Sequence, residues 1–264
     1  MKPSRRDFLK IAGASAAVGL GAVPVIEALA SGGGNSAAPA AQVEKGPDAL
    51  TGTHWGMVVD TRKIESAEQV LAMAEACHKI HNVPLMQEKR HEIKWIWATH
   101  YHNAFPLQPN EHLTEHLHHI LLPVMCNHCQ NPPCVQACPT KATFQRESDG
   151  IVMMDFHRCI GCRFCMAACP YGSRSFNFRD PRPFIAETNK KFPTRMKGVV
   201  EKCNFCAERL AVGQLPACVE ASEGILTFGD LNDPDSEVSK LLRENPSIRR
   251  KPNLGTSPSV YYIV

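Results

Sequence analysis

The chain has 264 residues, of which 44% are hydrophobic and 21% are charged, a composition typical of a globular protein of one or two domains. The formal net charge is +3, and the first thirty residues supply four positive and two negative charges of that balance. The remainder is close to neutral, so charge gives no indication of nucleic-acid binding.

The N-terminus has the layout of an export signal. Arg5 and Arg6 precede a weakly apolar run, Ile11–Ile26, and a small-residue site follows at Ala28–Ala30. The residues around the arginine pair resemble the twin-arginine consensus, so we expect a twin-arginine signal over residues 1–30 and a location on the periplasmic or extracytoplasmic face of the membrane. A short membrane anchor or amphipathic arm is the alternative, although the run is interrupted too often to make a good spanning helix.

A Gly/Ser/Ala/Pro-rich linker is predicted for residues 31–51. After it, apolar periodicity and turn residues predict a strand, two helices and a hairpin, in this order: Thr53–Asp60, Ser66–His78 with Ser66 as N-cap, Glu111–Ile120 and Ala142–Met154. Beyond Asp230 the chain is polar and contains prolines, so we expect it to lie across its own surface or a partner.

The twelve cysteines are the strongest chemical signal in the chain, and eleven of them lie between Cys126 and Cys218. Disulfides, zinc sites and iron–sulfur clusters all use such thiols. The twin-arginine route carries folded proteins, usually loaded with a cofactor, and this favours a metal centre over disulfides. Attached haem requires C-x-x-C-H, and no cysteine pair here is followed by histidine, so haem c is excluded.

Two cysteine blocks have the spacing of a two-cluster ferredoxin. The later block, Cys159–Pro170, reads C-x2-C-x2-C-x3-C-P, in which three thiolates hold one cluster and the fourth reaches the other. The earlier block, Cys126–Pro139, has the same pattern with a two-residue insertion. We therefore predict two sets of [4Fe–4S] ligands: a first set of Cys126, Cys129, Cys134 and Cys169, and a second set of Cys159, Cys162, Cys165 and Cys138.

A third block contains only three thiols, and Ser222 stands where a fourth cysteine is expected. Cys77 is the one cysteine left unassigned, which predicts a third set and a third cluster. A simple buried core thiol is the alternative for Cys77. The third set consists of Cys77, Cys203, Cys206 and Cys218.

These blocks resemble those of the four-cluster ferredoxin-like subunits that serve molybdopterin oxidoreductases and related respiratory complexes, the DMSO reductase/NrfC type. In that family the first motif pairs with the fourth. Here the first motif keeps only its last cysteine, Cys77, and the fourth motif has Ser222 in place of its last cysteine. The resemblance therefore implies that all four ligands of one cluster are missing and that no cysteine is left without a cluster. Stretches such as CNHCQNPPCVQACPTKATF and KGVVEKCNFCAERL are most similar to the exported iron–sulfur subunit of complexes of the DsrMKJOP type.

The resemblance implies an α+β, ferredoxin-like fold of two pseudo-symmetric two-cluster modules, one partly degenerate. The expected domains are an outer module (52–120 plus 181–231), an inserted module (121–180) and a C-terminal extension (232–264). The implied function is a non-catalytic relay of single electrons through three [4Fe–4S] clusters, peripheral to the membrane, in a complex of sulfur metabolism.

The partners that the resemblance implies are a polytopic quinone-reactive membrane subunit and a multihaem cytochrome c. An electron-transfer subunit of an exported molybdopterin oxidoreductase, of the polysulfide, tetrathionate or nitrite type, is one alternative. A zinc-binding structural module is another.

Three groups outside the cysteine sets have two interpretations each. His112, His116 and His119 are spaced to share a helix face, where packing or exposure competes with metal binding. Trp95 and Trp97 alternate around Ile96, as in a half-buried strand or an interface, with a role in electron conduction as the other interpretation. Four cations near the cysteines either raise cluster potentials or are ordinary surface groups; they are Lys141, Arg158, Arg163 and Lys202.

Overall fold

The computed structural model describes residues 46–108, 112 and 114–264, so the predicted signal and the linker up to residue 45 lie outside the described residues. The strands of the described part are, in chain order, β1 (Trp55–Asp60), β2 (Ile96–His100), β3 (Leu121–Met125), β4 (Thr143–Gln145), β5 (Val152–Met154), β6 (Ser175–Phe176), β7 (Val200–Glu201), β8 (Leu226–Asp230), β9 (Ser247–Ile248) and β10 (Val260–Ile263).

The helices are short, apart from the first. They are α1 (Ala67–Ile80), α2 (Tyr101–Ala104), α3 (Glu115–His119), α4 (Pro133–Gln136), α5 (Phe164–Ala168), α6 (Ala207–Leu210), α7 (Ala217–Glu220) and α8 (Glu237–Glu244), with 3-10 turns at Thr61–Lys63, Lys89–His91, Arg182–Phe184 and Pro252–Leu254. The described part is therefore a mixed helix-and-sheet fold, and none of its helices has the length and apolarity that crossing a bilayer requires.

A four-stranded sheet in the order β8–β1–β10–β9 organises the core. β1 is antiparallel to β8, with Met57 opposite Phe228, and parallel to β10, with Met57 opposite Val260. All six residues of β1 are buried, as expected for a strand with neighbours on both edges and covered faces. The predicted strand Thr53–Asp60 is confirmed.

Helix α1 confirms the predicted helix and runs two residues further. The backbone N–H of Ser66 donates to the side-chain oxygen of Gln69 at 3.1 Å, one half of a capping box. Val70, Met73 and Cys77 are buried along one face. Helical spacing of apolar residues therefore brings the isolated cysteine into the core.

Three two-stranded sheets accompany the central one: β2–β3, β4–β5 and β6–β7. The hairpin predicted for Ala142–Met154 is confirmed as β4 and β5, with Phe144 opposite Met153. Gly150 adopts φ +74° in its turn, a conformation that glycine enters without steric cost. The predicted strand at Trp95 and Trp97 is confirmed as β2, but burial does not alternate along it, because Trp95 and Ile96 are both buried and Trp97 is half-buried.

The helix predicted for Glu111–Ile120 is shorter in the structure, and part of its predicted range lies outside the described residues. Helix α3 begins at Glu115, so His112 precedes it and does not share its face with His116 and His119. His116 Nε2 lies 3.2 Å from a backbone carbonyl, that of Thr61. The three histidines therefore do not share one face of a helix, although their spacing had predicted it.

The chain after Asp230 differs from the expectation of a surface tail. Helix α8 covers the sheet, and β10 is inserted beside β1. Tyr262 is fully buried, and its hydroxyl donates to the carbonyl of Pro123 at 3.1 Å. The short segment Val260–Ile263 is β-branched and aromatic, so it fits a pleated, covered surface although the sequence around it is polar.

A buried ion pair ties two segments of the fold together. Arg195 Nη2 lies 2.6 Å from Glu201 Oε2, and both side chains are fully buried. Trp95 Nε1 also donates to Glu201 at 2.9 Å. Removing one partner of such a pair leaves the other charge buried without compensation, at a cost of about 3–5 kcal/mol.

We expect Glu201→Gln to lower the thermal unfolding midpoint of the metal-loaded protein by about 10 °C, the shift that corresponds to such a loss in a domain of this size. The matched control is Asp180→Asn, which removes an equally short pair with Arg182 (2.6 Å) between exposed side chains and should change the midpoint by about 1–2 °C. Equal shifts in the two variants, measured by circular dichroism, would contradict the assignment.

Candidate metal centre

All twelve cysteines lie within the described residues, and each is a free thiol. Eight are buried, and the other four are half-buried: Cys138, Cys159, Cys162 and Cys169. Three of these four belong to the predicted second set, while every member of the third set is buried. Exposure of the thiols to solvent therefore differs from one predicted set to the next.

The four thiols of the first set line one cavity. Cys126 follows β3 directly, and Pro132–Pro133 start helix α4, which carries Cys134 inward. The cavity has about 320 Å³ of space free of protein atoms, counting the part open to solvent, and Cys129 and Cys169 complete its thiol lining. Burial and then the neighbouring thiols raise the pKa of Cys129 to about 12.

A tight loop presents the second set. Gly161 has φ +70°, and a side chain there would place its Cβ 2.4 Å from the carbonyl oxygen of Gly198, so only glycine fits. Helix α5 follows and carries Cys165, whose pKa is raised by burial, with a contribution from the nearby Cys159 thiol. This loop geometry is the local consequence of the C-I-G-C-R-F-C spacing.

Cys138 is held by hydrogen bonds at the foot of the hairpin. The backbone N–H of Thr143 donates to Cys138 Sγ at 3.5 Å. Burial raises the pKa of this thiol, but hydrogen bonds from Thr143 and Thr140 outweigh it and lower the pKa below its usual value. That Cys138 and Cys162 bind the same cluster as Cys159 and Cys165 stays a prediction.

The structure brings Cys77 to the third block across a long sequence separation. Burial raises the pKa of Cys77 well above its ordinary value, and the thiols of Cys218, Cys206 and Cys203 raise it further. Helix α1, which carries Cys77, packs on helix α7, which carries Cys218. The four thiols of the predicted third set are therefore neighbours in the fold, although ligation by them remains a prediction.

His81 is a residue at this site that the sequence analysis did not single out. Its Nε2 lies 2.8 Å from Glu208 Oε1, and its Nδ1 lies 3.0 Å from the carbonyl oxygen of Cys77. The ring stacks on Trp95 with a centroid distance of 4.5 Å. Since both ring nitrogens already have partners, His81 fixes the end of helix α1 and so the position of Cys77. The i,i+4 spacing of Cys77 and His81 was the feature of the sequence that could have identified His81.

The first set lies close to both of the other sets. The thiol of Cys126 is among the groups that raise the pKa of Cys203, which joins the third set to the first. The thiol of Cys134 acts in the same way on Cys165, which joins the first set to the second. Packing agrees with this: Cys126 belongs to one apolar cluster with Cys77, Cys203 and Cys218, and Cys134 belongs to another with Cys159 and Cys165.

Three buried cations surround these thiols, and the described residues give none of them a carboxylate partner. Arg174 Nη2 donates to Cys134 Sγ at 3.0 Å, and its Nη1 donates to Thr143 Oγ1 at 2.7 Å. Lys202 Nζ donates to the carbonyls of Val152 and Cys203.

Arg250 is the third of these cations. It lies over the ring of Tyr171 at 5.4 Å, and Tyr171 adjoins Cys129 and Cys169. Arg250 also donates from Nε to the carbonyl of Ala104 at 3.0 Å. By contrast, the fourth buried cation of the described part, Arg195, has Glu201 as its partner.

Charge balance tests whether the thiols fit a metal. Burying an unpaired cation is costly, and burial holds free thiols such as Cys129 and Cys203 in the neutral form. Metal-bound cysteines are thiolates, and a cluster with four of them carries a net negative charge. The residues present fit such a group, because bound thiolates supply the counter-charge that Arg174, Lys202 and Arg250 otherwise lack.

Comparison with known proteins agrees with this chemistry. Residues 117–181 match the model of the 4Fe-4S dicluster domain, and residues 2–22 match the twin-arginine translocation signal. An Hdr-like menaquinol oxidoreductase iron-sulfur subunit 1 from Archaeoglobus fulgidus is 41% identical over 98% of this chain and 97% of its own length. The chain belongs to this family of exported iron–sulfur subunits. It is a non-catalytic electron-transfer subunit of an oxidoreductase complex, as the resemblance implies.

Two further relatives show the range of the family. The menaquinone reductase iron-sulfur cluster-binding subunit of Nitratidesulfovibrio vulgaris is 33% identical over 79% of this chain and 88% of its own. A tetrathionate reductase subunit of Salmonella typhimurium is 45% identical over 54% of this chain and 52% of its own. The signal match also confirms the predicted export to the periplasmic side.

Proposed function

We propose that this subunit holds three [4Fe–4S] clusters, one on each thiol set. The observation that carries the proposal is the group of three buried cations without carboxylate partners among the described residues: Arg174 and Lys202 lie directly beside predicted ligands, and Arg250 packs on Tyr171, which adjoins two of them. The ligands are Cys126, Cys129, Cys134 and Cys169 for the first set; Cys138, Cys159, Cys162 and Cys165 for the second; and Cys77, Cys203, Cys206 and Cys218 for the third.

Each cluster, when bound, accepts and passes one electron at a time. The protein contributes thiolate ligands, exclusion of water and fixed positive charge. Arg174 is the most direct contributor, since its guanidinium contacts Cys134 and faces the thiols of Cys165 and Cys126. A reduced cluster is more negative than an oxidised one, so this buried charge favours the reduced state of the first two clusters.

We propose that the fold contains two ferredoxin-like modules. The inserted module (121–180) carries the first and second sets, and its extent agrees closely with the dicluster match at 117–181. The outer module (52–120 plus 181–231) carries the third set. It is degenerate because the ligands of its second cluster are missing: Ser222 Oγ, in place of the expected thiol, donates to the Val219 carbonyl at 2.7 Å and accepts from Leu226 N–H at 3.1 Å. The C-terminal extension (232–264) completes the sheet.

The complex that we propose is quinone-linked and belongs to sulfur metabolism, of the DsrMKJOP type. Its partners are a polytopic quinone-reactive membrane subunit and a multihaem cytochrome c. The support is that relatives aligned over most of this chain are named as subunits of a menaquinol oxidoreductase and a menaquinone reductase. Purification of the native complex, followed by identification of its subunits, tests this assignment.

A molybdopterin oxidoreductase complex is the second candidate, because subunits of a tetrathionate reductase and a selenate reductase are also relatives. A molybdenum-containing subunit in the purified complex would establish it and overturn the quinone-linked proposal. A zinc-binding module predicts colourless protein without an EPR signal after reduction, whereas three clusters predict a brown protein with such a signal.

We expect Cys77→Ser to remove one cluster and leave two, because Cys77 supplies one corner of the third set alone. Iron per chain should fall by about one third, and the EPR spectrum of the reduced protein should lose one component. Ser222→Ala is the matched control: it changes a buried serine in the same module and should leave the iron content unaltered. An unchanged spectrum in Cys77→Ser would show that Cys77 is a core thiol.

We expect Arg174→Gln to lower the reduction potentials of the first and second clusters by about 50–100 mV, the order expected for one nearby charge at an effective dielectric constant near 20. The third cluster should not shift. Arg174→Lys, which retains the charge, should restore most of the change. EPR-monitored redox titration measures the reduction potentials of all three clusters.

The control for this prediction is Arg158→Gln, which removes an exposed arginine beside Cys159 that pairs with Asp155 at 3.3 Å. Screening by water should limit its effect to about 20 mV. A shift confined to the third cluster in Arg174→Gln, or equal shifts in both variants, would contradict the role given to Arg174.

A further inference from the structure

The loop of the second set is bordered by exposed apolar side chains. Ile160 is 67% exposed and Phe164 is 60% exposed, and both stand among the ligand cysteines of that loop. Phe178, 42% exposed, lies beneath the guanidinium of Arg163 from the same loop. Large apolar side chains clustered on a surface usually mark an interaction site. We name this surface, formed by Ile160, Arg163, Phe164, Phe178 and Lys197, the loop face.

Packing holds the loop face in one shape. The guanidinium of Arg163 lies over the rings of Phe176 and Phe178 at 5.4 and 5.7 Å. The two rings meet edge to face at 4.7 Å, and Gly161 is pressed against Gly198. A rigid surface loses little conformational entropy when a partner binds, so this face is preorganised for docking.

The charged residues of the loop face itself, Arg163 and Lys197, are both positive, and the carboxylates near it are paired with arginines: Asp155 with Arg158, Glu88 with Arg179 and Asp180 with Arg182. Arg163, Lys197 and Lys141 are exposed and form no ion pair within the described residues. A positive rim around an apolar centre is complementary to a partner with an apolar, acidic face.

We propose that the loop face is the docking site of a one-electron carrier protein with an acidic, apolar contact surface, and that electrons pass there between the second set and the carrier. This inference rests on the proposed function. The second set has three half-buried thiols, whereas the first set has one and the third set is wholly buried. A second copy of this chain would bring positive rims together, and like charges oppose that contact.

Stopped-flow kinetics with the reduced, cluster-loaded protein test the proposal. The probe is oxidised plastocyanin, a copper protein with an acidic patch; one electron leaves the subunit, Cu(II) becomes Cu(I), and no bond forms or breaks. Cytochrome c, whose haem edge is bordered by lysines, is the comparison probe. We expect the rate with plastocyanin to fall as salt rises and the rate with cytochrome c to increase.

Two variants separate the charge from the apolar contact. Arg163→Glu should slow the reaction with plastocyanin by about tenfold at low salt and flatten its salt dependence. Phe164→Ser should slow it with the salt dependence retained. Leu71→Ser and Lys240→Glu alter exposed side chains on other helices and serve as controls. If Arg163→Glu disturbs cluster content, Arg163→Gln replaces it.

Iron, sulfide and EPR measurements before the kinetics distinguish a failure of the proposed function from a failure of the docking site. Protein without clusters would refute the proposed function itself. Intact clusters with equal rates in the loop-face variants and the controls would overturn the docking site alone. Sedimentation with phosphatidylglycerol vesicles is the last arm: binding that Arg163→Glu abolishes would assign the face to anionic lipid and overturn the protein carrier.

Discussion

The structure depends on one electrostatic constraint: the cations buried near the cysteines need negative charge, and among the described residues they have neutral hydrogen-bond partners and thiols but no carboxylate. Elsewhere the protein pairs its buried charges, as Arg195 with Glu201 and Asp60 with Arg62. Neutral thiols would leave Arg174, Lys202 and Arg250 as uncompensated buried cations, which proteins rarely tolerate. Metal-bound thiolates remove that cost. Folding and metal loading are therefore coupled, in agreement with an export route that carries folded proteins.

The same charges shape the function. Fixed cations in a water-excluded interior interact strongly with a group whose negative charge changes by one at each transfer. Arg174 lies between the first and second sets, so it acts on both and reduces the difference in environment between them. The third set has a different neighbourhood, with His81 and Glu208 close to Cys77 and Cys206. The chain thus gives the third set electrostatic surroundings that differ from those that the first two sets share.

Local signals made much of this predictable from sequence. The cysteine spacing, the N-cap at Ser66 and the turn at Gly150 are each encoded within a few residues. The helix and the hairpin were confirmed, and the cysteine sets stay predictions. Arg174, Arg250 and His81 were missed because their roles depend on contacts between distant segments. Strand β10 was missed for the same reason, since its partner β1 lies about 200 residues away in the chain. The grouping of Cys77 was accessible only by counting thiols and by comparing the motifs with those of the family.

Iron and acid-labile sulfide per chain, measured together on protein matured in a cell that assembles iron–sulfur clusters, test the central claim most directly. Three sets of four cysteines, each with a [4Fe–4S] cluster, predict about twelve iron and about twelve sulfide. About eight of each would leave the third set empty and Cys77 without a ligand role. Zinc in place of iron, with no sulfide, would contradict the assignment of iron–sulfur clusters to all three sets.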